Sequence, residues 1–262
     1  MSYESIILEK SGDIGKLIFS RPKVLNAYNK TLSDEIGKGF NELAADDSVK
    51  VIVLTGEGKA FMAGADINMV TGWSELGDVT KVNAALDEML NPNLFEDCPK
   101  PVIAAINGLA FGMGCEIAMA CDFRIASEKA KFGQPEIKIG IIPGAGGSQR
   151  LMNLVGATKA LEMITIGDPI DAQEAYRIGL INKITPQDKL MEEVEAFAAK
   201  LAERPPIGIE ICKKVTYKGG NMPIREGLEY ERKKFCEILL SEDATEGTKA
   251  FLEKRKAEFK GK

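Results

Sequence analysis

Two short, strongly apolar runs constrain the fold of this chain more than any other feature of its sequence. Val49–Leu54 and Pro101–Ile106 are each followed within two residues by glycine. Apolar runs of this length, closed by turn residues, are typical of buried β-strands. Amphipathic helices are predicted at Leu32–Leu43, where apolar residues recur at spacings of four and three, and at Val79–Leu90. The alternation of strands and helices predicts an α/β domain built from stacked units.

Further strands flank these elements. Ile6–Leu8 and Lys16–Phe19 suit two strands joined by a glycine-containing turn, and Asp122–Ala126 suits a strand after the second buried run. Thr31 and Ser33 are available as N-caps for the first helix.

The pattern changes to long helical stretches after about residue 185. Leu190–Leu201 and Ile224–Leu240 are predicted helices, and Glu203–Pro206 forms a break between them. We therefore expect an α/β core over residues 1–200 and a helical region over residues 201–262. A helical tail on such a body commonly serves as a lid or an oligomer contact.

The absence of histidine limits the chemistry available to the chain. None of the 262 residues is histidine. Ser-His-Asp and Cys-His nucleophile activation and histidine-based metal sites are therefore excluded, and no metal site is expected. Any acid–base catalysis has to use carboxylates, lysines or tyrosines.

The remaining composition indicates a soluble, cytoplasmic protein. The N-terminal segment lacks the pattern of a signal peptide, and no run approaches the ~20 apolar residues of a membrane span. The formal net charge is −5, and no basic block long enough to follow a phosphate backbone occurs outside the tail, so nucleic acid is not an expected partner. No C-x-x-C spacing occurs, so we expect reduced core thiols at Cys98, Cys115, Cys121, Cys212 and Cys236.

A glycine-rich corner after the second buried strand leads into an apolar helical segment. Gly112 and Gly114 let the backbone turn tightly around Met113, which leaves the Met113 N–H free at a helix start, where the helix dipole favours developing negative charge. Glu116 follows about one turn later among apolar residues. Burial would raise its proton affinity and suit it to general acid or base work. The alternative is an ordinary first-turn carboxylate that complements the dipole.

A second candidate carboxylate, Glu136, lies between Pro135 and Ile137 in a loop-rich stretch. The glycine string Gly144–Gly147 follows it. That string lacks the spacing and the lysine of a phosphate-binding P-loop, and neither glycine cluster shows the dinucleotide-binding pattern after a first strand. We interpret both clusters as places of tight packing and turning.

A third small-residue corner, Ala63–Ala65, follows the first buried strand and precedes a predicted helix. The Ala65 N–H can act as a second free donor beside that of Met113. Two donors aimed at one point form an oxyanion hole. Taken alone, these residues also fit an ordinary tight turn.

Four segments together resemble the enoyl-CoA hydratase (crotonase) family. They are Ala63–Ile67, Asn107–Asp122, Gln134–Glu136 and Ile142–Arg150, and the likeness extends over essentially the whole chain. The resemblance implies a crotonase-type spiral of ββα repeats with a C-terminal helical region that builds trimers. It also implies a homo-oligomer, usually a hexamer made of two trimers.

The same resemblance implies the roles of individual residues. It places the oxyanion hole at the N–H groups of Ala65 and Met113, and the paired catalytic carboxylates at Glu116 and Glu136. Coenzyme A is then part of the acyl-CoA thioester substrate, and no separate cofactor is expected. The implied coenzyme A contacts are Lys23, Val24, Leu25, Ala63, Asp66 and Ile67, with Phe251 and Lys254 contributed by a neighbouring subunit.

The implied reaction is the reversible syn addition of water to a 2,3-unsaturated acyl-CoA, as in short-chain enoyl-CoA hydratases. Two glutamates favour hydration, because a family member with only one would favour double-bond isomerisation. A cyclic or conjugated dienoyl-CoA substrate, an enoyl-CoA isomerase and a non-catalytic acyl-CoA-binding relative are the alternatives. Met113 stands where similar hydratases more often carry glycine, so the range of acyl groups is left open.

Overall fold

The computed structural model describes residues 3–262 and contains two β-sheets. In the larger sheet the strand order is β1-β2-β3-β5-β7-β10, with β1 antiparallel to β2 and the other neighbours parallel. In the smaller sheet it is β4-β6-β8-β9. The strands are β1 (Ile6–Ser11), β2 (Ile14–Phe19), β3 (Val51–Gly56), β4 (Ala60–Met62), β5 (Val102–Ile106), β6 (Leu109–Phe111), β7 (Phe123–Ser127), β8 (Lys131–Gly133), β9 (Ile170–Asp171) and β10 (Lys183–Thr185).

Helices connect the strands and cover the sheets, and a 3₁₀ turn at Pro135–Ile139 follows β8. The helices are α1 (Lys30–Ala45), α2 (Ile67–Glu75), α3 (Val79–Asp87), α4 (Asn93–Asp97), α5 (Met113–Ala120), α6 (Gly147–Val155), α7 (Ala157–Ile166), α8 (Ala172–Arg177), α9 (Leu190–Ala202), α10 (Pro206–Lys214), α11 (Ile224–Leu239) and α12 (Glu242–Glu253).

Three consecutive units share one plan, which confirms the expected spiral of ββα repeats. Each unit has a strand of the larger sheet, a short strand of the smaller sheet and then a helix: β3-β4-α2, β5-β6-α5 and β7-β8-α6. Parallel pairing of the long strands, and of the short strands, stacks these units on one another, with one register irregularity between Ala60 and Met62 of β4. The segments beyond the short strands therefore recur at one end of the stack, and Ala65, Met113, Glu116 and Glu136 lie on them.

The two faces of the larger sheet pack against different partners. In β3, Ile52 and Leu54 join the main core, whereas Val51 and Val53 join a second cluster with Leu190, Val194 and Ala198 of α9. Because both faces are covered, β3 and β5 are buried along their whole length, which explains why their sequences are almost uninterrupted apolar runs.

The N-cap of α1 differs from the prediction. Its cap is Asn29, whose side chain accepts a hydrogen bond from the Leu32 N–H at 2.9 Å. Ser33 lies inside the helix and is buried, and its hydroxyl oxygen accepts from the Leu90 N–H and from the Tyr28 hydroxyl. Neither Thr31 nor Ser33 is therefore the cap, because the helix begins before both of them.

The C-terminal part of the chain is helical, as expected. The predicted break at Glu203–Pro206 separates α9 from α10, while the domain division at residue 200 falls inside α9 and stays a prediction. The expectation of five core cysteines is wrong for Cys212 and Cys236, which are exposed on α10 and α11. Within residues 3–262, none of the helices has the length and apolar character needed to span a bilayer.

Candidate active site

The corner that begins α5 depends on close backbone approach. Gly112 has φ +49°, and Met113 is the first residue of the helix. A Cβ on Gly114 would lie 2.1 Å from the carbonyl oxygen of Met62, so only glycine lets the helix start abut β4. The predicted corner around Met113 is therefore present, and Glu116 lies one turn into the helix.

Glu116 is held by backbone donors from a distant loop. Its side chain is buried, with the residue 3% exposed, and Oε1 accepts hydrogen bonds from the Ala145 and Gly147 N–H groups at 2.8 Å each. Burial raises the pKa of Glu116, and the two N–H groups and the charge of Arg150 oppose that rise. The carboxylate is thus both desolvated and fixed in orientation.

Glu136 has a different setting. It lies in the 3₁₀ turn after β8 and is only partly buried, yet burial raises its pKa to about 7 and the nearby charge of Glu116 adds to the rise. Its carboxylate lies over the corner, because a Cβ on Gly112 would be 3.0 Å from Glu136 Oε1. Both the protonated and the ionised form of this carboxyl are therefore populated near neutral pH.

Gln134 supports Glu136 from the buried side. The Gln134 side chain is fully buried and its amide faces both oxygens of Glu136. With its amide nitrogen turned toward the ionised carboxylate, Gln134 donates to Oε1 at 2.9 Å and to Oε2 at 3.2 Å, whereas the protonated carboxyl can donate to the amide oxygen. Gln134 thereby fixes the direction of the Glu136 side chain.

One cavity of about 740 Å³ brings the four central candidates together. Ala65, Met113, Glu116 and Glu136 all line it. Apolar side chains from α2, α3 and the segment after it form much of the remaining wall, including Val70, Trp73, Leu86, Met89 and Leu90. The cavity thus combines an apolar wall with two carboxylates, which suits a ligand with an apolar part and a reactive polar group.

Both candidate N–H donors are available. The residues on either side of Ala65 are paired with Tyr28: the Tyr28 N–H donates to the Gly64 carbonyl and the Asp66 N–H donates to the Tyr28 carbonyl, each at 2.8 Å. Across the described part of the chain, the N–H groups of Ala65 and Met113 have no hydrogen-bond acceptor. Met113 is at the positive end of α5 as well.

The predicted coenzyme A contacts divide into two groups. Leu25 lies next to Ala63, whose N–H donates to the Leu25 carbonyl at 3.1 Å, and Lys23 and Val24 are on the adjoining exposed turn. Asp66 caps α2 and Ile67 begins it, with 59% of Ile67 exposed. These six residues lie beside the corner that carries Ala65.

The structure does not bring Phe251 and Lys254 to this cavity. They lie at the C-terminal end of α12, and Phe251 is 85% exposed. Their expected contribution is to the site of a neighbouring subunit, so it stays a prediction.

Sequence reasoning missed the groups that hold the two glutamates. The Gly144–Gly147 string is more than a packing turn, because its Ala145 and Gly147 N–H groups bind Glu116. Arg150 and Gln134 lie in the segments that resemble the enoyl-CoA hydratase family, but the sequence pattern assigned no role to either residue. Only the glycine string carried a local signal, since free N–H groups are common in such loops.

Comparison with known proteins decides the family. The family description Enoyl-CoA hydratase/isomerase matches residues 9–262. The chain belongs to the enoyl-CoA hydratase/isomerase family. It is thus an enzyme of a family whose relatives include the crotonyl-CoA hydratase of Syntrophomonas wolfei, 41% identical over 99% of both chains. The short-chain-enoyl-CoA hydratase of Clostridium acetobutylicum is 40% identical over 98% of both chains.

Solved structures of this family share the fold. The crystal structure of enoyl-CoA hydratase from Bacillus anthracis superposes with a TM-score of 0.90 at 35% sequence identity, covering 99% of this chain and 100% of that one. The crotonase-type fold expected from the sequence is therefore confirmed.

Proposed function

We propose that this enzyme adds water reversibly to a 2,3-unsaturated acyl-CoA to give a 3-hydroxyacyl-CoA by syn addition. The observation that carries the proposal is that two carboxylates with raised pKa values, Glu116 and Glu136, line one cavity with two unpaired backbone N–H groups. The hydratase relatives of similar length support the same reaction.

The two N–H groups are proposed to form an oxyanion hole. The thioester carbonyl oxygen would accept from Ala65 and Met113, so the negative charge that reaches it during attack on the β-carbon is stabilised. The positive end of α5 adds to this stabilisation at Met113. Such donors lower the barrier because their interaction is stronger with the enolate than with the neutral carbonyl.

The different settings of the carboxylates support different roles. Glu116, with two N–H donors on Oε1, suits an ionised base that takes one proton from water as the oxygen bonds to the β-carbon. Glu136, whose pKa is about 7, suits the acid that delivers a proton to the α-carbon. One water is consumed. Glu116 then returns its proton to solvent and Glu136 takes one up, so the proton count balances. No separate cofactor is needed.

We propose that the coenzyme A part binds along Lys23–Leu25, Ala63 and Asp66–Ile67. Ala63 and Leu25 are hydrogen-bonded neighbours beside Ala65, so a thioester in the oxyanion hole would leave its coenzyme A arm next to them. The exposed Lys23 offers a positive charge to the anionic ligand.

A hexamer built from two trimers is part of the same proposal. Large apolar side chains are exposed on α11 and α12, and patches of that kind commonly mark protein interfaces. Phe251 and Lys254 would then complete the coenzyme A site of a neighbouring subunit. The most exposed of these side chains are Ile224, Leu240, Phe251 and Leu252.

The direct test is hydration of crotonyl-CoA by the purified chain, followed as the loss of absorbance of the conjugated thioester. We expect turnover by the wild type and 3-hydroxybutyryl-CoA as product. A wild type that binds crotonyl-CoA without turning it over would contradict the short-chain assignment, and cyclic or dienoyl thioesters would then be tried. Conversion of a 3-enoyl-CoA to its 2-enoyl isomer without hydration would favour an isomerase instead.

A further inference from the structure

The Arg150 guanidinium lies between α4 and the loop that holds Glu116. Nε donates to Glu96 Oε1 at 2.5 Å, Nη2 donates to Asn93 Oδ1, and Nη1 donates to the Ala145 carbonyl oxygen at 3.0 Å. The Arg150 side chain is 13% exposed. All three nitrogens of the planar group are engaged, so its orientation is fixed.

Ala145 links this guanidinium to the catalytic carboxylate. Its carbonyl accepts from Arg150, while its N–H donates to Glu116 Oε1 at 2.8 Å. The guanidinium also lies directly against the loop, because a Cβ on Gly146 would be 2.0 Å from Arg150 Nη1. The Gly144–Gly147 loop is therefore hydrogen-bonded to Glu116 on one side and to Arg150 on the other.

We propose that Arg150 is a positioning residue for Glu116: with Glu96 as its counter-ion, it fixes the loop that orients the carboxylate and sets the charge behind that loop. The proposal rests on the proposed function, in which Glu116 is the base. Arg150 acts through the loop and not by contact with the reacting atoms.

The electrostatic part follows from the groups around Glu116. The charged and titratable neighbours of Glu116 are Glu136, Arg150 with Glu96 behind it, and the buried Cys115 thiol. Asp97 on α4 is exposed, and the buried Arg124 donates to the Ala118 and Met119 carbonyls at the other end of α5. The charge of Arg150 lowers the pKa of Glu116, and the ion pair with Glu96 offsets part of that charge. Removal of Arg150 should raise this pKa, and removal of the Glu96 charge should lower it.

The test is the pH profile of crotonyl-CoA hydration in Arg150→Met, Arg150→Lys and Glu96→Gln. The acidic limb reports ionisation of Glu116. In Arg150→Met we expect kcat to fall about 100-fold, the loss typical of a slightly misplaced catalytic group, with the acidic limb at higher pH and KM near the wild-type value. In Glu96→Gln the limb should move to lower pH. Arg150→Lys keeps the charge but loses the fork, so kcat should fall while the limb stays in place.

Arg177 and Glu174 provide a matched control pair. They form an ion pair on the surface of α8, with Arg177 Nε 2.6 Å from Glu174 Oε2 and a largely exposed arginine. Arg177→Met and Glu174→Gln should leave both kcat and the limb unchanged. If Arg150 merely stabilised the fold, Arg150→Met and Glu96→Gln would not shift the acidic limb in opposite directions. If Arg150→Met does not fold, Arg150→Lys and Glu96→Gln carry the test.

The outcomes separate this inference from the proposed function. If the wild type hydrates crotonyl-CoA but the limb is unmoved in Arg150→Met and Glu96→Gln, the inference is overturned and the function stands. If the wild type has no hydratase activity, the proposed function fails, and a crystal structure of Arg150→Met decides the positioning role. Glu116 and the Gly144–Gly147 loop unmoved in that structure would overturn it, and their displacement would support it.

Discussion

Glu116 and Glu136 face the same cavity but differ in their burial and in the groups that hold them. Glu116 is buried on an α-helix and takes two backbone N–H bonds on one oxygen, whereas Glu136 is partly buried on a 3₁₀ turn beside the amide of Gln134. Burial raises the pKa of both carboxyls; the backbone donors oppose that rise at Glu116, whereas the nearby charge of Glu116 adds to it at Glu136. Two identical side chains can therefore differ in protonation because their surroundings differ.

The largest expected effect is the loss of either carboxyl group. Glu116→Gln and Glu136→Gln keep the side-chain shape but remove one of the proposed proton transfers each, so kcat for crotonyl-CoA hydration should fall by about 10²–10⁴-fold in each variant. Steady-state kinetics of the two variants checks this. Glu128→Gln, at an exposed position on the surface, is the control and should match the wild type. Wild-type kcat in either active-site variant would show that hydration does not need both groups.

The sequence predicted the features of the Glu116 site that come from residues close to it in the chain. Gly112, Met113 and Glu116 lie within one turn of each other, so their spacing alone indicated a free N–H and a carboxylate at a helix start. The holding contacts are not local: Ala145 and Gly147 reach Glu116 from 29 and 31 residues away. A glycine string shows that N–H groups can be free, but only the stacking of the units shows which acceptor they meet.

The same distinction applies to the fold. The long strands β3 and β5 were predicted because burial on both faces leaves an apolar run in the sequence. The apolar pattern alone did not locate the strands of the smaller sheet, because strands such as β4 and β6 span three residues and are too short for any periodicity. The cap of α1 was misplaced for a similar reason, since Asn29, Thr31 and Ser33 are all residues that can cap a helix.

A smaller fall in kcat is expected when only the contacts that position Glu116 are disturbed. A Cβ on Gly147 would lie 2.9 Å from Glu116 Oε1 and 2.7 Å from the Cβ of Pro143. Gly147→Ala should therefore displace the carboxylate and lower kcat by roughly 100-fold, as a misplacement of about 1 Å can do. Kinetics of the variant checks this, with Gly220→Ala as the control because nothing lies within 4 Å of a Cβ there. Unchanged kcat in Gly147→Ala would show that the two N–H bonds do not set the position of Glu116.

The smallest expected effect is on thermal stability and comes from the raised pKa of Glu136. Its pKa rises from an ordinary 4.5 to about 7 on folding, so the folded state binds the proton more tightly than the unfolded chain. Its contribution to stability is complete below pH 4.5 and is lost as the pH rises through 7. Glu136→Gln should therefore raise Tm relative to the wild type at pH 8 and less so at pH 5. The pKa change corresponds to at most about 3 kcal/mol, which solvent screening at this partly exposed site reduces. Since each kcal/mol is ~2–4 °C in a domain of this size, a Tm difference of a few degrees is expected at pH 8 in thermal melts. An equal difference at both pH values would mean that the pKa is not raised.

The division of roles between the two glutamates is tested most directly by exchange of the α-proton of 3-hydroxybutyryl-CoA in D₂O. In the proposed mechanism, removal of that proton requires Glu136 and the oxyanion hole, whereas loss of the hydroxyl group requires Glu116 as well. We expect Glu116→Gln to incorporate deuterium at the α-carbon without forming crotonyl-CoA, and Glu136→Gln to incorporate none. Incorporation by Glu136→Gln and none by Glu116→Gln would contradict the assignment of base and acid.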